Sequence, residues 1–335
     1  MPSQSPLSPA SIESIAGLMA GSVATLVVHP LDIVKTRMQS IPHPYTVYRS
    51  ATATGGKLGL TTLGVLRSLV AHDTPMRAFY RGLTPNLVGN AAGWASFFFF
   101  KAKAEQLIVS LRSGRHHAHA HNDSGFLAPY EHFLASAMAG ATTTMLTNPI
   151  WVLKTRMLSS DRASEGAYQS MSQGVRAIYH TEGLSGFYRG VLVSLMGVSH
   201  GAVQFAVYEP LKRMYLATQP GGRNGSSINL PATKPSGGEH IQRLDVQGTL
   251  AISTLAKLVA GAATYPYQVI RARMQNYDSE KRFGKGVAGV AGRVYREEGL
   301  RGFYRGLGPA VLRVMPATWV TFLVYENVKH QLKAM

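Results

Sequence analysis

The chain has no cysteine among its 335 residues, so disulfides, thiolate nucleophiles and cysteine metal sites are excluded. Carboxylates are scarce too: 17 Asp and Glu stand against 34 Lys and Arg, a net charge of +17. No Ser-His-Asp order stands out, no phosphate-cradling glycine loop opens a helix, and the ATP-hydrolysis motif is missing. These absences speak against an enzyme. The hydrophobic share, 45%, is ordinary, and no run of about 18 residues is wholly apolar. The stretch Met1–Ser14 holds no Lys or Arg and fits neither a secretory leader nor an Arg-rich presequence, so any address is expected to be internal.

What the chain does have is repetition, which takes precedence over any assignment of fold. The stretch Pro30-Leu31-Asp32-Ile33-Val34-Lys35-Thr36-Arg37-Met38-Gln39 returns as Pro149-Ile150-Trp151-Val152-Leu153-Lys154-Thr155-Arg156-Met157 and as Pro266-Tyr267-Gln268-Val269-Ile270-Arg271-Ala272-Arg273-Met274-Gln275. The prolines lie 119 and 117 residues apart. A second motif keeps step: Tyr80-Arg81-Gly82, Tyr188-Arg189-Gly190 and Tyr304-Arg305-Gly306 each open a further apolar run. Glu182-Gly183 and Glu298-Gly299 precede two of them, and His72-Asp73 stands near the first. Two long apolar helices in each of three units make six. Each candidate span, roughly 20–30 residues with few charges, is long enough to cross a bilayer when tilted. Their dilution with Gly, Ser, Thr and Ala suits helices that pack closely and line a wet cavity. Many of the bases follow the prolines or fall in loops, as charges at a membrane surface do.

The organisation expected is a tail over 1–10, a first repeat over 11–111, a linker over 112–128, a second repeat over 129–217, a linker over 218–245 and a third repeat over 246–335. Long helices are expected at Ser11–Gln39, Thr84–Leu111, Pro129–Leu158, Val191–Leu216, Val246–Asn276 and Gly308–Lys333, with Pro30 kinking the first. Short amphipathic surface helices are expected at Leu60–Ala71, Tyr168–His180 and Lys285–Glu297. Gly17 and Gly21 form a small-xxx-small face that admits a neighbouring helix. The segment 116–121 carries four histidines; a metal site and a solvated linker are both open, and nothing nearby completes a coordination set.

Three copies of proline-x-acid-x-x-base-x-base, each paired with a downstream aromatic-base-glycine, resemble the mitochondrial carrier family, solute carrier family 25, over residues 11–333. Trp151 and Gln268 in two of the acid positions, with the run Gly197-Val198-Ser199-His200-Gly201-Ala202-Val203-Gln204-Phe205, resemble its FAD and folate branch, whose relatives move NAD and pyrimidine nucleotides. The resemblance implies an all-α membrane protein: six transmembrane helices in three pseudo-symmetric repeats around a central cavity, working by alternating access, with both termini cytosolic. It places the chain, as a monomer without a resident cofactor, in the mitochondrial inner membrane, with a peroxisomal membrane as the lesser choice. Lipid, cardiolipin included, and a small-molecule substrate are its partners; nucleic acid is not. Transport is then driven by gradients.

The resemblance also implies gates. Each acid position faces the next repeat's base, so the matrix gate pairs Asp32 with Lys154, Gln268 with Lys35 and Trp151 with Arg271. The last is at most a cation–π contact. Gln39 and Gln275 resemble braces beneath this layer, a part Leu158 cannot play. The cytoplasmic gate retains Glu209, Lys212, Glu326 and Lys329, of which only Glu209 and Lys329 can pair as the family predicts. Interfacial anchoring is the bland alternative for all these charges.

For the cavity, eleven residues before Asp32, Trp151 and Gln268 stand Gly21, Gly140 and Lys257, each pair on one helix face. A lysine at that depth is a functional candidate. By the resemblance Arg313 and Gly89 fall on substrate contact positions, and a structural ion pair is the alternative for Arg313. In the second helix Asn86, Asn90, Gly93 and Phe97 form a polar, open face with Trp94 at its edge, placed either to stack on a heterocycle or to sit at the membrane interface. In the fourth, Gly197, His200 and Gln204 share a face, and His200 serves either a ligand or a helix–helix hydrogen bond. Two fixed cations, amides and an aromatic ring suit a large aromatic anion: FAD or folate, with NAD or a pyrimidine nucleotide as alternatives. A carrier-fold adaptor that moves nothing, and a soluble basic helical solenoid on nucleic acid, are the competing classes.

Overall fold

The computed structural model describes residues 9–40, 62–115, 129–160, 167–218, 246–277 and 279–334. The start of the expected tail, most of the loop before the first surface helix, the histidine-rich segment 116–121 and the linker 219–245 lie outside them. All regular structure among the described residues is helical: α1 (Pro9–Ser40), α2 (Thr62–Val70), α3 (Pro75–Phe79), α4 (Leu83–Arg115), α5 (Pro129–Ser159), α6 (Met171–Phe187), α7 (Val191–Met196), α8 (Val198–Thr218), α9 (Val246–Ala263), α10 (Tyr265–Gln275), α11 (Ser279–Phe283), α12 (Gly286–Gly302) and α13 (Leu307–Ala334). The fold is all-α. Each repeat runs long proline-bearing helix, short helices, long helix.

Among the described residues three runs are long and apolar enough to cross a membrane: Ile15–Ser40, Val191–Leu216 and Leu307–Leu332. At 33 and 31 residues α4 and α5 have the length, but Asn86, Asn90, Lys101 and Lys103 in one and a Thr-rich centre in the other dilute their hydropathy. Two expected helices are interrupted. α1 and α5 continue through Pro30 and Pro149, whereas the third proline-bearing helix breaks at Thr264, just ahead of Pro266. Thr264 turns its hydroxyl and its backbone N–H onto the Ala260 carbonyl, and a proline offers no N–H to carry the ladder on. The fourth breaks at Gly197, between α7 and α8. These breaks border a division into two compact units, residues 1–198 with 265–335 and residues 199–264.

In the first unit α1 lies along α13, and α4 along α5. α1 buries Ile12, Ala16, Ala20, Ala24 and Val28, one every four residues. This alanine stripe admits close approach, not the expected Gly17 and Gly21. Those two stand one position further round, about 100° away, and a side chain added at either would meet no atom within 4 Å. α5 repeats the spacing with Ala135 and Ala139, and in the second unit α9 does so with Ile252, Ala256 and Ala260.

The proline ends interlock in a cycle, all within the first unit. Arg37 Nε donates to the Leu158 carbonyl at 3.2 Å, Arg156 Nε to that of Gln275 at 3.1 Å, and Arg273 Nε to that of Gln39 at 3.1 Å. Each repeat thus grips the next, and the third grips the first. All three guanidinium groups are buried. Two are neutralised by the glutamates of the Glu-Gly motif: Glu182 takes Arg156 and Arg189, and Glu298 takes Arg273 and Arg305. In the first repeat Arg81 reaches across instead, donating to the carbonyls of Met157 and Tyr168 and to Ser160 Oγ. Gly82, Gly190 and Gly306 each hold φ between +70° and +84° and lie against the next repeat around in the cycle. A Cβ at Gly82 would fall 2.4 Å from Leu158 Cδ1. These glycines supply both the left-handed turn and the space.

Burial alone raises the pKa of Glu182, but Arg156 and Arg189 outweigh it and hold the carboxyl below its ordinary value. A depressed folded-state pKa contributes stability above the unfolded value and loses it as pH falls through the folded one. Glu182→Gln is therefore expected to lower stability at neutral pH by about 3 kcal/mol, as a buried guanidinium loses its partner, and to flatten the loss of stability below the ordinary glutamate value of 4.5. Thermal unfolding of wild type and variant across pH 3–7 checks both; an unchanged midpoint at neutral pH would remove the ion pair from the account.

Candidate functional site

One turn beyond each proline, three cross-repeat contacts form a layer inside the first unit. Lys154 Nζ lies 3.8 Å from Asp32 Oδ2. Lys35 Nζ donates to Gln268 Oε1 at 3.2 Å. Arg271 faces the Trp151 ring, its guanidinium carbon 5.8 Å from the centroid, while Lys154 stands over the same indole at 4.8 Å. The repeat register produces this arrangement, because the i and i+3 positions of one helix turn meet their counterparts on the neighbouring repeat.

Asp32 has more partners than the register supplies. Arg313, on α13, reaches it through its guanidinium. Asn86 Nδ2 donates to Asp32 Oδ2 at 3.2 Å and contacts His29 Nδ1 at 3.0 Å. His29 Nε2 lies 3.0 Å from the Arg81 carbonyl. A carbonyl can only accept, so Nε2 carries the proton and Nδ1 of the neutral ring accepts from Asn86. His29 and Asn86 are buried and orient the carboxylate. Asn86 is therefore a support for Asp32 rather than part of an open face. His29 gave no signal in the motif, since Asn148 and Tyr265 stand in its place in the other repeats.

The layer is electrically lopsided. Lys35, Lys154, Arg271 and Arg313 share a layer with a single carboxylate, because Trp151 and Gln268 occupy the other acid positions. The Asp32 side chain is 6% exposed, Lys154 15% and Arg313 36%, so the arginine borders open space while the acid does not. The indole that replaces an acid lies on α4 where Gly89 leaves room: a Cβ there would meet Ile150 at 3.2 Å and the Trp151 ring at 3.6 Å. Gly89 is thus covered by Trp151 and does not present an open wall. Trp151 Nε1 donates to Thr147 Oγ1 at 3.2 Å, which fixes the ring.

Gly93 is open, with nothing within 4 Å of an added side chain. Asn90 donates to Thr25 on α1 at 3.1 Å. Trp94 is 65% exposed and stacks on Phe98, off the face that Asn86 and Gly93 share. Gly197 is a point of close approach, since a Cβ would fall 2.8 Å from the Ser194 carbonyl and 3.4 Å from the Tyr267 hydroxyl. In the second unit His200 Nδ1 lies 2.8 Å from Thr264 Oγ1, and Lys257 is exposed on α9. Gln275 accepts from Thr155 Oγ1 at 3.0 Å, whereas the Gln39 side-chain amide has no hydrogen-bond partner for its Nε2. At the opposite end of the first unit Lys329 donates to Glu13 Oε1 at 3.1 Å and to the Tyr325 hydroxyl at 3.3 Å. Glu13, on α1 beside α13, lies within its reach. Glu326 is exposed; Glu209 and Lys212 are half-buried on α8. Among the described residues no cluster of His, Asp and Glu could hold a metal.

A family model described as mitochondrial carrier protein matches residues 8–111, 126–219 and 242–335. The chain is 33% identical to the mitochondrial FAD carrier protein of Saccharomyces cerevisiae over 97% of its own length and 98% of the relative's. It is 34% identical to the mitochondrial nicotinamide adenine dinucleotide transporter 2 of Arabidopsis thaliana, over 93% of this chain and 77% of that one. With the chloroplastic folate transporter 1 of the same plant it shares 33%, over 95% and 94%. Three family matches in register, one for each proline-bearing repeat, leave one conclusion: the chain belongs to the mitochondrial carrier family.

Proposed function

We propose that the protein carries a large anionic aromatic cofactor, FAD in the first place and folate in the second, across the mitochondrial inner membrane by alternating access. The observation that carries this reading is the layer at the proline ends. Cations outnumber carboxylates there by four to one, and an indole lies among them. Cations attract an anion, and ring faces accept a flat heterocycle. Relatives of similar identity named for FAD and folate support the same choice. NAD is the second reading, supported by the relative named for it.

In this reading the layer is the matrix gate. Beyond the buried Asp32, which Lys154 and Arg313 share, its barrier is light: one amide hydrogen bond and one cross-repeat cation–π contact. Partly wet contacts of this kind contribute about 1 kcal/mol each or less, so the layer can break and re-form every cycle. Arg313 is the group that touches both the gate and the open space beside it.

Liposomes containing the purified protein are expected to take up FAD, or folate, in preference to NAD, CoA and pyrimidine nucleotides. Uptake of none of them by folded protein would favour an adaptor. Arg313→Ala is expected to abolish uptake while the protein stays folded, and normal uptake would reject its contact role. Trp151→Asp gives Arg271 a carboxylate partner, so it is expected to strengthen the gate and slow turnover; faster turnover would count against the pairing.

A further inference from the structure

The gate layer holds more positive charge than its own residues can neutralise. In the first repeat the acid position is Asp32, which Lys154 and Arg313 both use. The two repeats that lack the acid leave two cations without a carboxylate. Lys35 has the neutral Gln268 amide and the Tyr265 ring, 5.9 Å away. Arg271 has no carboxylate partner among the described residues; the face of Trp151 and the Tyr267 phenol are its neighbours. A guanidinium has five N–H donors, and a half-buried one without an anionic partner leaves much of its charge uncompensated. The four cations are linked into one group: Arg313 and Lys154 through Asp32, Lys154 and Arg271 through Trp151, and Arg271 and Lys35 through Gln268, three residues before Arg271 on α10.

We propose that this layer is itself an anion site, and that a dianionic group, a diphosphate or a pair of carboxylates, binds between Lys35 and Arg271 and supplies the charge that Trp151 and Gln268 omit. The site lies in the gate, one turn past the prolines, so its occupant acts on the barrier directly. An anion on Arg271 takes its guanidinium from the indole. An anion within reach of Lys35 competes with the Gln268 amide for its ammonium. Charge-assisted hydrogen bonds to an anion are about twice as strong as neutral ones, so binding favours the opening of two of the three contacts. Asp32, with Lys154 and Arg313, holds what remains. The inference rests on the transport reading only for the source of the anion: the group belongs either to the carried molecule or to free phosphate in solution.

The test uses the full-length protein in detergent or nanodiscs, with thermal unfolding followed at constant ionic strength against inorganic pyrophosphate, phosphate, chloride and FAD. Pyrophosphate is expected to raise the midpoint saturably, and chloride is not. Gln268→Glu supplies the missing charge internally. It is expected to unfold at a higher temperature without ligand and to weaken pyrophosphate binding at least about tenfold. Arg271→Gln is expected to lose the pyrophosphate shift while retaining a cooperative transition. If FAD and pyrophosphate compete, the carried molecule supplies the group; if their shifts add, the layer takes free anion. A wild-type protein without a saturable pyrophosphate shift, or a shift of full size in both variants, would overturn the proposal. Because the readout is pyrophosphate binding, it stands apart from whether FAD is the molecule transported.

Discussion

One carboxylate governs the proline layer. Asp32 is buried, and it is held by an amide, an ammonium and a guanidinium from three other helices, α4, α5 and α13. A charge taken out of water must be paired and hydrogen-bonded to remain charged. That requirement draws Asn86, Lys154 and Arg313 to one point and sets His29 behind them as the group that aligns the amide. Every other cation in the layer does without such an acid. The layer is therefore firm at Asp32 and loose at the two positions occupied by Trp151 and Gln268, an asymmetry laid over a threefold frame.

The frame itself comes from a different set of groups. The buried arginines at positions 37, 156 and 273 donate to backbone carbonyls in the following repeat, so their bonds depend on the course of the chain and not on which side chains fill the layer. Glu182 and Glu298 neutralise two of them, and the glycines at 82, 190 and 306 let the neighbouring backbone come close. Division of labour follows. The arginine cycle holds the proline ends together, and the layer one turn away is free to vary in charge. Two acids can be replaced by an indole and an amide because the frame does not use them.

The fold was legible because it is written three times. Proline, acid and base at fixed spacing, followed by tyrosine-arginine-glycine, define the repeat unit, and a contact between repeats follows from register once the helices are assigned. What spacing does not encode is which side chain crosses to which helix. Arg313 joins Asp32 from the last helix, 281 residues away, and no periodicity announces that. The choice of Ala16 and Ala20 over Gly17 and Gly21 for the close face is a rotation of one residue, to which a small-residue pattern is blind. Gly89 reads as a contact position by resemblance, and Gly197 as part of a face with His200 and Gln204. In three dimensions an indole covers the first and a tyrosine hydroxyl approaches the second. Absence of a side chain signals space, but whose space it becomes depends on the neighbour.

The central claim is that surplus positive charge beside an aromatic face selects an anion bearing a ring. The most direct measurement holds the ring constant and varies the charge: competition against FAD uptake in liposomes by riboflavin, which has no phosphate, by FMN, which has one, and by unlabelled FAD with its diphosphate bridge. The account predicts that competition strengthens in that order, with riboflavin nearly inert. Equal competition by all three would show that the ring alone is recognised and would contradict the role given to the charge.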